Sequence, residues 1–486
     1  MAGMVVKNNM SAVNTLNTLN KNHLALSKSL QKVSSGMRIN GAADDASGYA
    51  ISERMRVQIR SLEQDNRNVQ NGISMMKVAE GAVQSTVNIL KTLKEKVINA
   101  ANDTNTDSDR QNIQKELDQS IDQINDNANV TYNGKYLIDG SHNSQVVHDE
   151  CRNPNGVRVT NSWSDLDRGT YTHLTNSSFD KSTQWNTKLT DLKNRNGESL
   201  NIKSDDTVTI SVVQEGKTYT MSFQVGTNHL YEALIYNTYN QNHGLGLVGV
   251  KRGSEVIDHP PFWTGELLSS AGNGWTPYDP AYIGHDAAGN NVYTPDGEPA
   301  LTMLSGGQGL TYQVSGFTVS ITDVDGNINK SANAVLDAWT ETIRAQAESQ
   351  DNSIVLQTGT KANQAIKVGF TDMRARALGL QGSDGTTLNV CSQINANAAI
   401  NVLDNAVQKA LDEQTKIGAT ISRLEYTSAN LTTASENVTA SESTIRDADM
   451  AKEMTEYTKN NVLLQAAQSM LAQANQNSSS VLSLLQ

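Results

Sequence analysis

The sequence predicts an α + β multidomain protein in which both chain ends build an elongated α-helical coiled-coil bundle and the middle forms a β-rich (α+β) outer insertion domain. The first observation is compositional: all seven prolines, which interrupt helices, fall between Pro154 and Pro299, and all five tryptophans fall between Trp163 and Trp339. The second is that apolar residues near both ends recur in steps of three and four, as in paired helices. The third is that the middle alternates apolar and polar residues, as strands do.

Length, charge and hydropathy exclude several classes of protein. The 486 residues suggest about three structural units. A net charge of −12 argues against a nucleic-acid coat, because phosphate binding requires a basic face. No run approaches the roughly 20 apolar residues of a bilayer-spanning helix. The first residues also lack the basic and apolar pattern of a cleaved secretory signal, so we expect export by another route.

A long heptad pattern can be counted from Met55. Every d position is apolar, whereas Asn66, Glu80 and Lys94 occupy alternate a positions. A repeat of this length predicts a helix of about 50 residues, roughly 75 Å long, with a narrow seam for partner helices. Its polar a positions cost stability but fix the register of pairing. The predicted seam residues are Met55, Ile59, Leu62, Val69, Ile73, Met76, Val83, Leu90 and Val97.

A turn and a return helix follow. Residues 103–108 carry Asp, Asn, Thr and Ser, which are typical of a turn and a helix N-cap. The return helix that they introduce has its apolar residues at helical spacing: Ile113, Leu117, Ile121, Ile124 and Ala128.

The C-terminal third repeats the heptad pattern over the same length. Two seams of equal length, separated by nearly 300 residues, are most simply explained if they pack on each other with the return helix. The predicted seam residues here are Leu403, Val407, Ile417, Ile421, Leu424, Leu431, Val438 and Ile445.

The extreme ends have a different composition. Residues 4–35 carry a stripe of Leu16, Leu19, His23, Leu26, Leu30 and Val33, and their only charged side chains are lysines. Residues 460–486 contain no charged side chain, and their stripe comprises Leu463, Ala467, Met470, Ala474, Val481 and Leu484. Such ends bury too little within one chain to offset their ordering entropy, so we expect them to order when copies pack together. The alternative is an ordinary helix pair that closes a monomer.

Short strands are predicted in the middle segment. Residues 207–213 and 218–223 read as a hairpin, and residues 317–322 as a further strand with a turn at Asp325-Gly326. One helix is predicted from Ala332 to Ser349, with Val335, Trp339 and Ile343 facing inward. We interpret the segment as one α+β domain or two.

No motif predicts an enzyme, a cofactor or a metal site. Residues 244–249 match a dinucleotide-binding glycine spacing, but Pro260 and Pro261 block the helix that must follow, so a glycine-rich loop is predicted. Residues 323–326 lack the remaining ligands of a calcium loop. The zinc-protease pentapeptide His-Glu-x-x-His does not occur, and Cys151 and Cys391 are too few for a disulfide scaffold.

Four segments resemble bacterial flagellin, the subunit of the flagellar filament. LNKNHLALSKSLQKVSSGMRINGAADDASGYAISERM (Leu19 to Met55) resembles the N-terminal signature of that family. SRLEYTSANLTTASENVTASESTIRDADMAKEM (Ser422 to Met454) and QAAQSMLAQANQNSSSVLSLL (Gln465 to Leu485) resemble its C-terminal blocks. FTDMRARALGL (Phe370 to Leu380) resembles the point where its core resumes after the insertion. Met4-Val5-Val6 resembles the usual beginning of the family, so Met1 to Gly3 is interpreted either as an extension or as the result of a mis-set start codon.

The resemblance implies a filament subunit used for motility, with a fold and partners to match. It implies five segments: a lumen-lining helix and linker (1–48), the N-terminal part of the helical core (49–140), a variable surface-exposed insertion (141–352), the C-terminal part of the core (353–450) and a C-terminal lumen-lining helix (451–486). It also implies an extracellular protein exported unfolded by the flagellar type III system. The implied partners are further copies of the chain, an export chaperone, cap and hook-filament junction proteins, and host innate receptors.

Two receptor sites follow from the resemblance. The patch for the cell-surface innate receptor corresponds to Leu90, Lys91, Thr92, Leu93, Lys94 and Glu95, with Glu116 opposite. Strongly recognised flagellins resemble one another in having Arg where this chain has Thr92 and Leu where it has Lys96, so weak activation is expected. The motif for the cytosolic receptor corresponds to Val481, Leu482, Leu484 and Leu485.

Two other functions fit parts of the pattern. A hook-filament junction protein has similar ends, although the long matching signatures at both termini favour the filament subunit. An enzyme displayed on filaments through the insertion is the remaining alternative.

Overall fold

The structure is a computed structural model that describes residues 9–146, 169–183, 187–230, 282–294, 297–298, 300–305 and 308–484. Its helices are α1 (Met10–Ser35), α2 (Ala46–Ala100), α3 (Asp107–Ala128), α4 (Lys330–Leu336), α5 (Gln393–Arg446) and α6 (Met450–Leu484). The strands before residue 230 are β1 (Thr131–Tyr132), β2 (Lys135–Tyr136), β3 (His173–Asn176), β4 (Thr207–Gln214) and β5 (Lys217–Gln224). Those after it are β6 (Tyr282–His285), β7 (Asn291–Tyr293), β8 (Leu301–Leu304), β9 (Val314–Thr322), β10 (Thr340–Ile343), β11 (Ile354–Gln357) and β12 (Ala365–Val368).

The architecture is helical at both ends and strand-rich in the middle, as predicted. The chain folds into two compact units. The first comprises Met1–Asn71, Gln357–Ala365 and Leu424–Gln486, of which residues 1–8 and 485–486 lie outside the described part. The second comprises Gly72–Leu356 and Ile366–Arg423. The long helices α2 and α5 contribute residues to both units.

None of the helices in the described residues is both long enough and apolar enough to cross a membrane.

The predicted turn between α2 and α3 is present as a capping box. Thr106 is the N-cap: its hydroxyl accepts from the Asp109 amide, and the Asp109 carboxylate accepts from the Thr106 amide at 3.0 Å. Buried Arg110 then donates to the carbonyl of Ala100, the last residue of α2, and to the carbonyl of Asn102 in the turn. The turn therefore satisfies both helix ends that it joins.

Most of the predicted seam is buried. In α2 the side chains of Leu62, Val69, Ile73, Met76, Val83, Leu90 and Val97 are buried, whereas Met55 and Ile59 are half-buried. In α5 the buried seam residues are Leu403, Ile417, Ile421, Leu424 and Leu431, and the half-buried ones are Val407, Val438 and Ile445. Burial is thus weakest at the start of α2 and the end of α5.

Polar a positions are matched between α2 and α5. In the first unit, the Ser428 hydroxyl donates to the Asn66 amide oxygen at 2.7 Å and accepts from Gln70 at 2.9 Å. In the second unit, Gln414 donates to Gln84. Such pairs favour one register, because a slip would leave polar groups against apolar neighbours.

The insertion is built on an antiparallel sheet in the order β5-β4-β9. The predicted hairpin is confirmed: β4 pairs with β5 across a two-residue turn whose residues, Glu215 and Gly216, both have positive φ. One face of the sheet packs into the insertion core, and Phe317 meets Trp339 edge to face with ring centroids 5.4 Å apart. A second antiparallel sheet has the order β10-β3-β8.

The predicted helix from Ala332 to Ser349 is wrong beyond its first turns. Helix α4 ends at Leu336, and β10 then pairs with β3. The residues that leave the helix, Trp339 to Ile343, are aromatic or β-branched at several positions and fit a paired strand better than an isolated helix. Buried Ile343 and the half-buried Val335 and Trp339 do face the interior. Their spacing of four residues places them on one face of a helix and also on one face of a strand.

Candidate assembly interface

The two terminal helices form an antiparallel pair. Near one end, Asn9 donates to the carbonyl of Ala474; in the middle, Asn22 donates to Leu463, and further along Asn460 donates to the Ser29 hydroxyl at 3.0 Å. These partners run in opposite directions along the chain. The first helix, α1, therefore packs along most of α6.

The seam of this pair is narrow and largely polar or small. Its positions alternate in steps of three and four on both helices, and most are half-buried. Ser29, Ala467 and Ala474 are buried. The seam positions on α1 are Ala12, Thr15, Leu19, Asn22, Leu26, Ser29 and Val33, and on α6 Glu453, Tyr457, Asn460, Leu464, Ala467, Leu471 and Ala474.

The terminal stripes predicted from the sequence divide between the seam and the surface. Leu19, Leu26 and Val33 lie in the seam, as do Ala467 and Ala474. Two helices use only a narrow arc of each surface for their contact, so the rest of a broad apolar stripe points away. The stripe residues that remain exposed are Leu16, His23, Leu30, Leu463 and Met470.

The exposed surface of the pair is rich in apolar side chains. Met470 is 64% exposed and Met10 62% exposed. Helix α1 contains no acidic residue, and α6 contains no charged residue after Lys459. A concentration of exposed apolar side chains on nearly uncharged helices is typical of an interaction surface. The exposed large apolar residues are Met10, Val13, Leu16, Leu24 and Leu30 on α1, and Met450, Met454, Val462, Leu463 and Met470 on α6.

A backbone joint ties the two ends of the chain together where α1 ends and α6 begins. The Arg38 amide donates to the Arg446 carbonyl at 2.7 Å, and the Ala448 amide donates to the Gly36 carbonyl at 2.9 Å. Gly36 ends α1 in the left-handed region, at φ 70°, where glycine is favoured. On the other strand, the Asp449 carboxylate accepts from the Ala451 amide and starts α6. The segment that follows α1 and the segment that precedes α6 are thus hydrogen-bonded side by side.

Arg446 anchors this joint to the start of α2. Its buried guanidinium donates to the Glu53 carboxylate at 2.6 Å and lies 5.6 Å from the centre of the Tyr49 ring. The hydrogen bond from Arg446 lowers the pKa of Glu53. Sequence reasoning missed this cluster, although a lone arginine at the end of a long heptad helix, just before an Asp-Ala-Asp break, was a visible signal.

The second unit contains a cavity of about 790 Å³, but its charges largely neutralise one another. Arg344 contacts Asp412, Lys416 contacts Glu413, and Arg374 contacts Asp372. Elsewhere in the described residues, no group of three His, Cys, Asp or Glu side chains is placed to hold a metal ion. Cys391 is free and half-buried, whereas Cys151 and the glycine run at 244–249 lie outside the described residues.

Comparison with known proteins identifies the family. A model of the bacterial flagellin N-terminal helical region matches residues 6–143, and one of the bacterial flagellin C-terminal helical region matches residues 400–485. Flagellin from Clostridium tyrobutyricum is 31% identical over 475 residues, which cover 97% of this chain and 99% of that protein. The chain belongs to the flagellin family. It is a structural protein, not an enzyme: its copies polymerise with one another into the bacterial flagellar filament.

Other flagellins match over nearly their whole length. Flagellin from Bacillus subtilis is 28% identical over 485 residues, covering 99% of this chain and all of that protein. Among solved structures, flagellar hook-associated protein 3 from Legionella pneumophila is 15% identical and covers 80% of this chain and 97% of its own, with a TM-score of 0.31. That score is too low to support an argument about this flagellin.

The expected receptor patch lies only partly on the surface of this flagellin. Lys91, Thr92 and Glu95 are exposed, Lys94 is half-buried against Asp404, and Glu116 pairs with Lys96 at 3.1 Å. Leu90 and Leu93 are buried, so including them in a surface patch was wrong for the single chain. Their d and g positions in the heptad, beside the seam, gave the signal. Of the cytosolic-receptor motif, Val481, Leu482 and Leu484 lie in α6 and Leu485 lies outside the described residues.

Proposed function

We propose that the exposed apolar faces of α1 and α6 are the surfaces by which copies of this flagellin pack into the filament core. One observation carries the proposal: five large apolar side chains on each helix remain exposed in the single chain. Burying a side chain of that size stabilises by about 1.5–3 kcal/mol. The narrow seam between α1 and α6 buries few of these side chains, so most of this stabilisation would come from contacts with neighbouring copies.

The joint at Gly36 and Ala448 supports the same proposal. Because the segments that follow α1 and precede α6 are hydrogen-bonded side by side, α1 and α6 would enter the assembly as a pair rather than as two independent tails. The five-segment division of the chain, with the terminal helices lining the lumen and residues 141–352 outside, belongs to this proposal.

Charge on the outer face of α6 tests the proposal. We expect Met470→Glu to prevent or severely slow filament assembly, because each copy would bury a carboxylate without a partner. Gln473→Glu, on the same helix and also exposed, is the matched control for added charge. Assembly would be followed by light scattering and electron microscopy, and monomer helicity by circular dichroism.

The proposal fails if Met470→Glu assembles as fast as wild type. It also fails if Met470→Glu unfolds the monomer, because the loss of helicity would then explain the loss of assembly. Removing the residues after Asn460 should likewise abolish filaments and leave a soluble, partly folded monomer.

Export and delivery form a separate proposal. We propose that the chain leaves the cell unfolded through the flagellar type III apparatus, that an export chaperone holds its C-terminal segment, and that it adds to the filament beneath the cap and beyond the hook-filament junction. The terminal segments favour this, since the narrow seam between α1 and α6 offsets little of the entropy lost when they fold in a single chain. A chaperone pull-down that is lost on removing residues 451–486, but not residues 1–35, would test it.

We further propose that this flagellin activates the cell-surface innate receptor only weakly. Thr92 bonds its hydroxyl back to the Asn88 carbonyl at 3.1 Å and offers no planar guanidinium to a partner. Thr92→Arg should raise signalling at least ten-fold in a reporter assay. Thr432→Arg is the control, because Thr432 makes the same type of helix-backbone bond outside the patch. Equally strong signalling by wild type and Thr92→Arg would contradict the proposal.

Recognition by the cytosolic receptor is proposed to be retained through Val481, Leu482, Leu484 and Leu485. Replacing Leu482 and Leu484 by Ala should abolish that signal. The same change should leave any signal through the surface receptor unaltered, which separates the two.

A further inference from the structure

The two edges of the β5-β4-β9 sheet are finished differently. At the β9 edge, asparagine side chains occupy the outward backbone groups. Asn405 donates to the Ser315 carbonyl at 2.9 Å, Asn401 donates to the Phe317 carbonyl at 3.2 Å, and Asn333 accepts from the Ile321 amide at 2.6 Å. This edge is therefore closed to a further strand.

The β5 edge carries no such covering within the part of the chain that the structure describes. The two-residue turn makes Gln214 and Lys217 a hydrogen-bonded pair, so the phase of the hairpin is fixed. In that phase Tyr219, Met221 and Phe223 direct their backbone groups toward β4. The amides and carbonyls of Thr218, Thr220 and Ser222 point outward, on a strand that pairs with β4 alone among the strands of the described residues.

The usual protections of an edge strand are also weak here. Natural sheets blunt exposed edges with prolines, bulges or inward charges. Residues 217–224 contain no proline, and their pairing with β4 runs without a register shift. The only charged side chain, Lys217, lies at the end of the strand and is paired with Asp384 at 2.6 Å.

We propose that β5 pairs antiparallel with β5 of a second copy of this chain, about a two-fold axis at Thr220. The outward groups then meet in three hydrogen-bonded pairs, namely Thr220 with its own counterpart and Thr218 with Ser222 in both directions. About six backbone hydrogen bonds would form. The two sheets join into one.

The side chains of β5 are complementary in this register. On one face hydroxyls meet hydroxyls, as they already do within the sheet, where Thr209 meets Ser222 at 2.9 Å and Ser211 meets Thr220 at 3.0 Å. On the other face Tyr219 meets Met221 of the second copy and extends the apolar core, against which Tyr219 is only partly buried. The two Lys217 residues lie at opposite ends, so no like charges are opposed. These features favour β5 of a second copy of this chain as the partner of the β5 edge.

This contact is independent of filament growth. A helical filament grows through heterologous contacts, in which two different patches meet, whereas β5 with β5 is isologous. It would therefore join two free subunits, or the outer insertions of two neighbouring filaments, without using α1 or α6.

Cysteine cross-linking tests the register in the full chain, with Cys151 and Cys391 replaced by Ser. Thr220→Cys places two thiols opposite each other, about 5.5 Å apart between Cα atoms, within disulfide range. We expect rapid formation of a covalent dimer under mild oxidation with copper phenanthroline. Ser222→Cys is the matched control: it is more exposed, but its counterpart lies four residues along, roughly 13 Å away. Equal cross-linking of the two variants would overturn the proposal, since random collision favours the more exposed site.

Association of the otherwise native chain provides the second test. Thr220→Lys opposes two like charges at the axis and should weaken dimerisation of the free subunit at least ten-fold in sedimentation equilibrium. Ser320→Lys, on the same sheet face but near the closed edge, should not. Both variants should still form filaments, and a loss of filaments in Thr220→Lys alone would contradict the claim that the β5 contact is independent of filament growth.

Hydrogen exchange distinguishes a second copy from an intramolecular cover. The amides of Thr218, Thr220 and Ser222 should exchange rapidly in dilute protein and become protected as concentration rises. Protection that is the same at all concentrations would overturn the proposal.

Discussion

The terminal helix pair and the insertion sheet place their apolar residues in opposite ways. In the sheet, Val208, Ile210 and Val212 of β4 are all at most 2% exposed. In the pair, Leu24, Val462 and Met470 are all more than half exposed, while the buried Ser29 is polar. The insertion therefore has a core of its own, whereas the helix pair leaves much of its apolar surface exposed in the single chain. Under the proposed function, independent stability is assigned to the insertion and assembly to the helix pair.

The largest expected effect comes from breaking the insertion core. Phe317→Ala removes a buried ring and its edge-to-face contact with Trp339, at a cost of about 3–5 kcal/mol. We expect loss of the near-ultraviolet circular dichroism of the insertion and a lower denaturant midpoint. Filament assembly should persist, because α1 and α6 are untouched.

Val324→Ala is the control for this substitution, since Val324 is 73% exposed on the turn after β9 and should change stability by less than about 0.5 kcal/mol. If Phe317→Ala also stopped assembly, the two segments would not be independent.

Making the terminal pair more like the insertion is the converse test. Ser29→Ala with Asn460→Leu replaces a polar seam contact by an apolar one and should stabilise the pair in the free subunit by roughly 2 kcal/mol. Helicity of the monomer should rise. Because the polar pair no longer fixes the register, the filaments should be less uniform in electron micrographs. A fall in monomer helicity would show that the seam is already optimal.

A smaller effect concerns pH. Asp337 follows α4, where burial raises its pKa to about 6, although Asn401 and the Val319 amide donate to it. The carboxylate is easier to protonate in the folded state than in the unfolded state, so stability is lost as pH rises through 6 and regained as it falls toward 4. Asp337→Asn should remove this dependence and stabilise the insertion at pH 8 by on the order of 2 kcal/mol. Denaturation at pH 4.5 and pH 8 would measure it, and an unchanged pH dependence would contradict it.

Much of the helical architecture could be predicted because it is periodic. The heptads of α2 and α5, the cap at Thr106 and the hairpin of β4 and β5 are all local patterns, and each is present. The register partners of Asn66 and Gln414 could not be named, because a heptad shows which residues face inward but not which residue opposes them.

What failed depended on long-range partners. Residues 340–343 become a strand because β3, more than 160 positions earlier in the chain, pairs with them. Similarly, the stripes of α1 and α6 allowed more than one inward face, and only packing of the two helices selects it. Arg446 meets Glu53 across nearly 400 positions, so its role at the joint was not visible locally.

The most direct test of the difference between the two segments is hydrogen exchange of the full chain, compared between free subunit and filament. We predict that amides of α1 and α6 exchange rapidly in the free subunit and become protected at least 100-fold in the filament. Amides of β4 and β9 should be equally protected in both states. Strong protection of α1 and α6 in the free subunit, or β4 and β9 protected only in the filament, would contradict this division of roles.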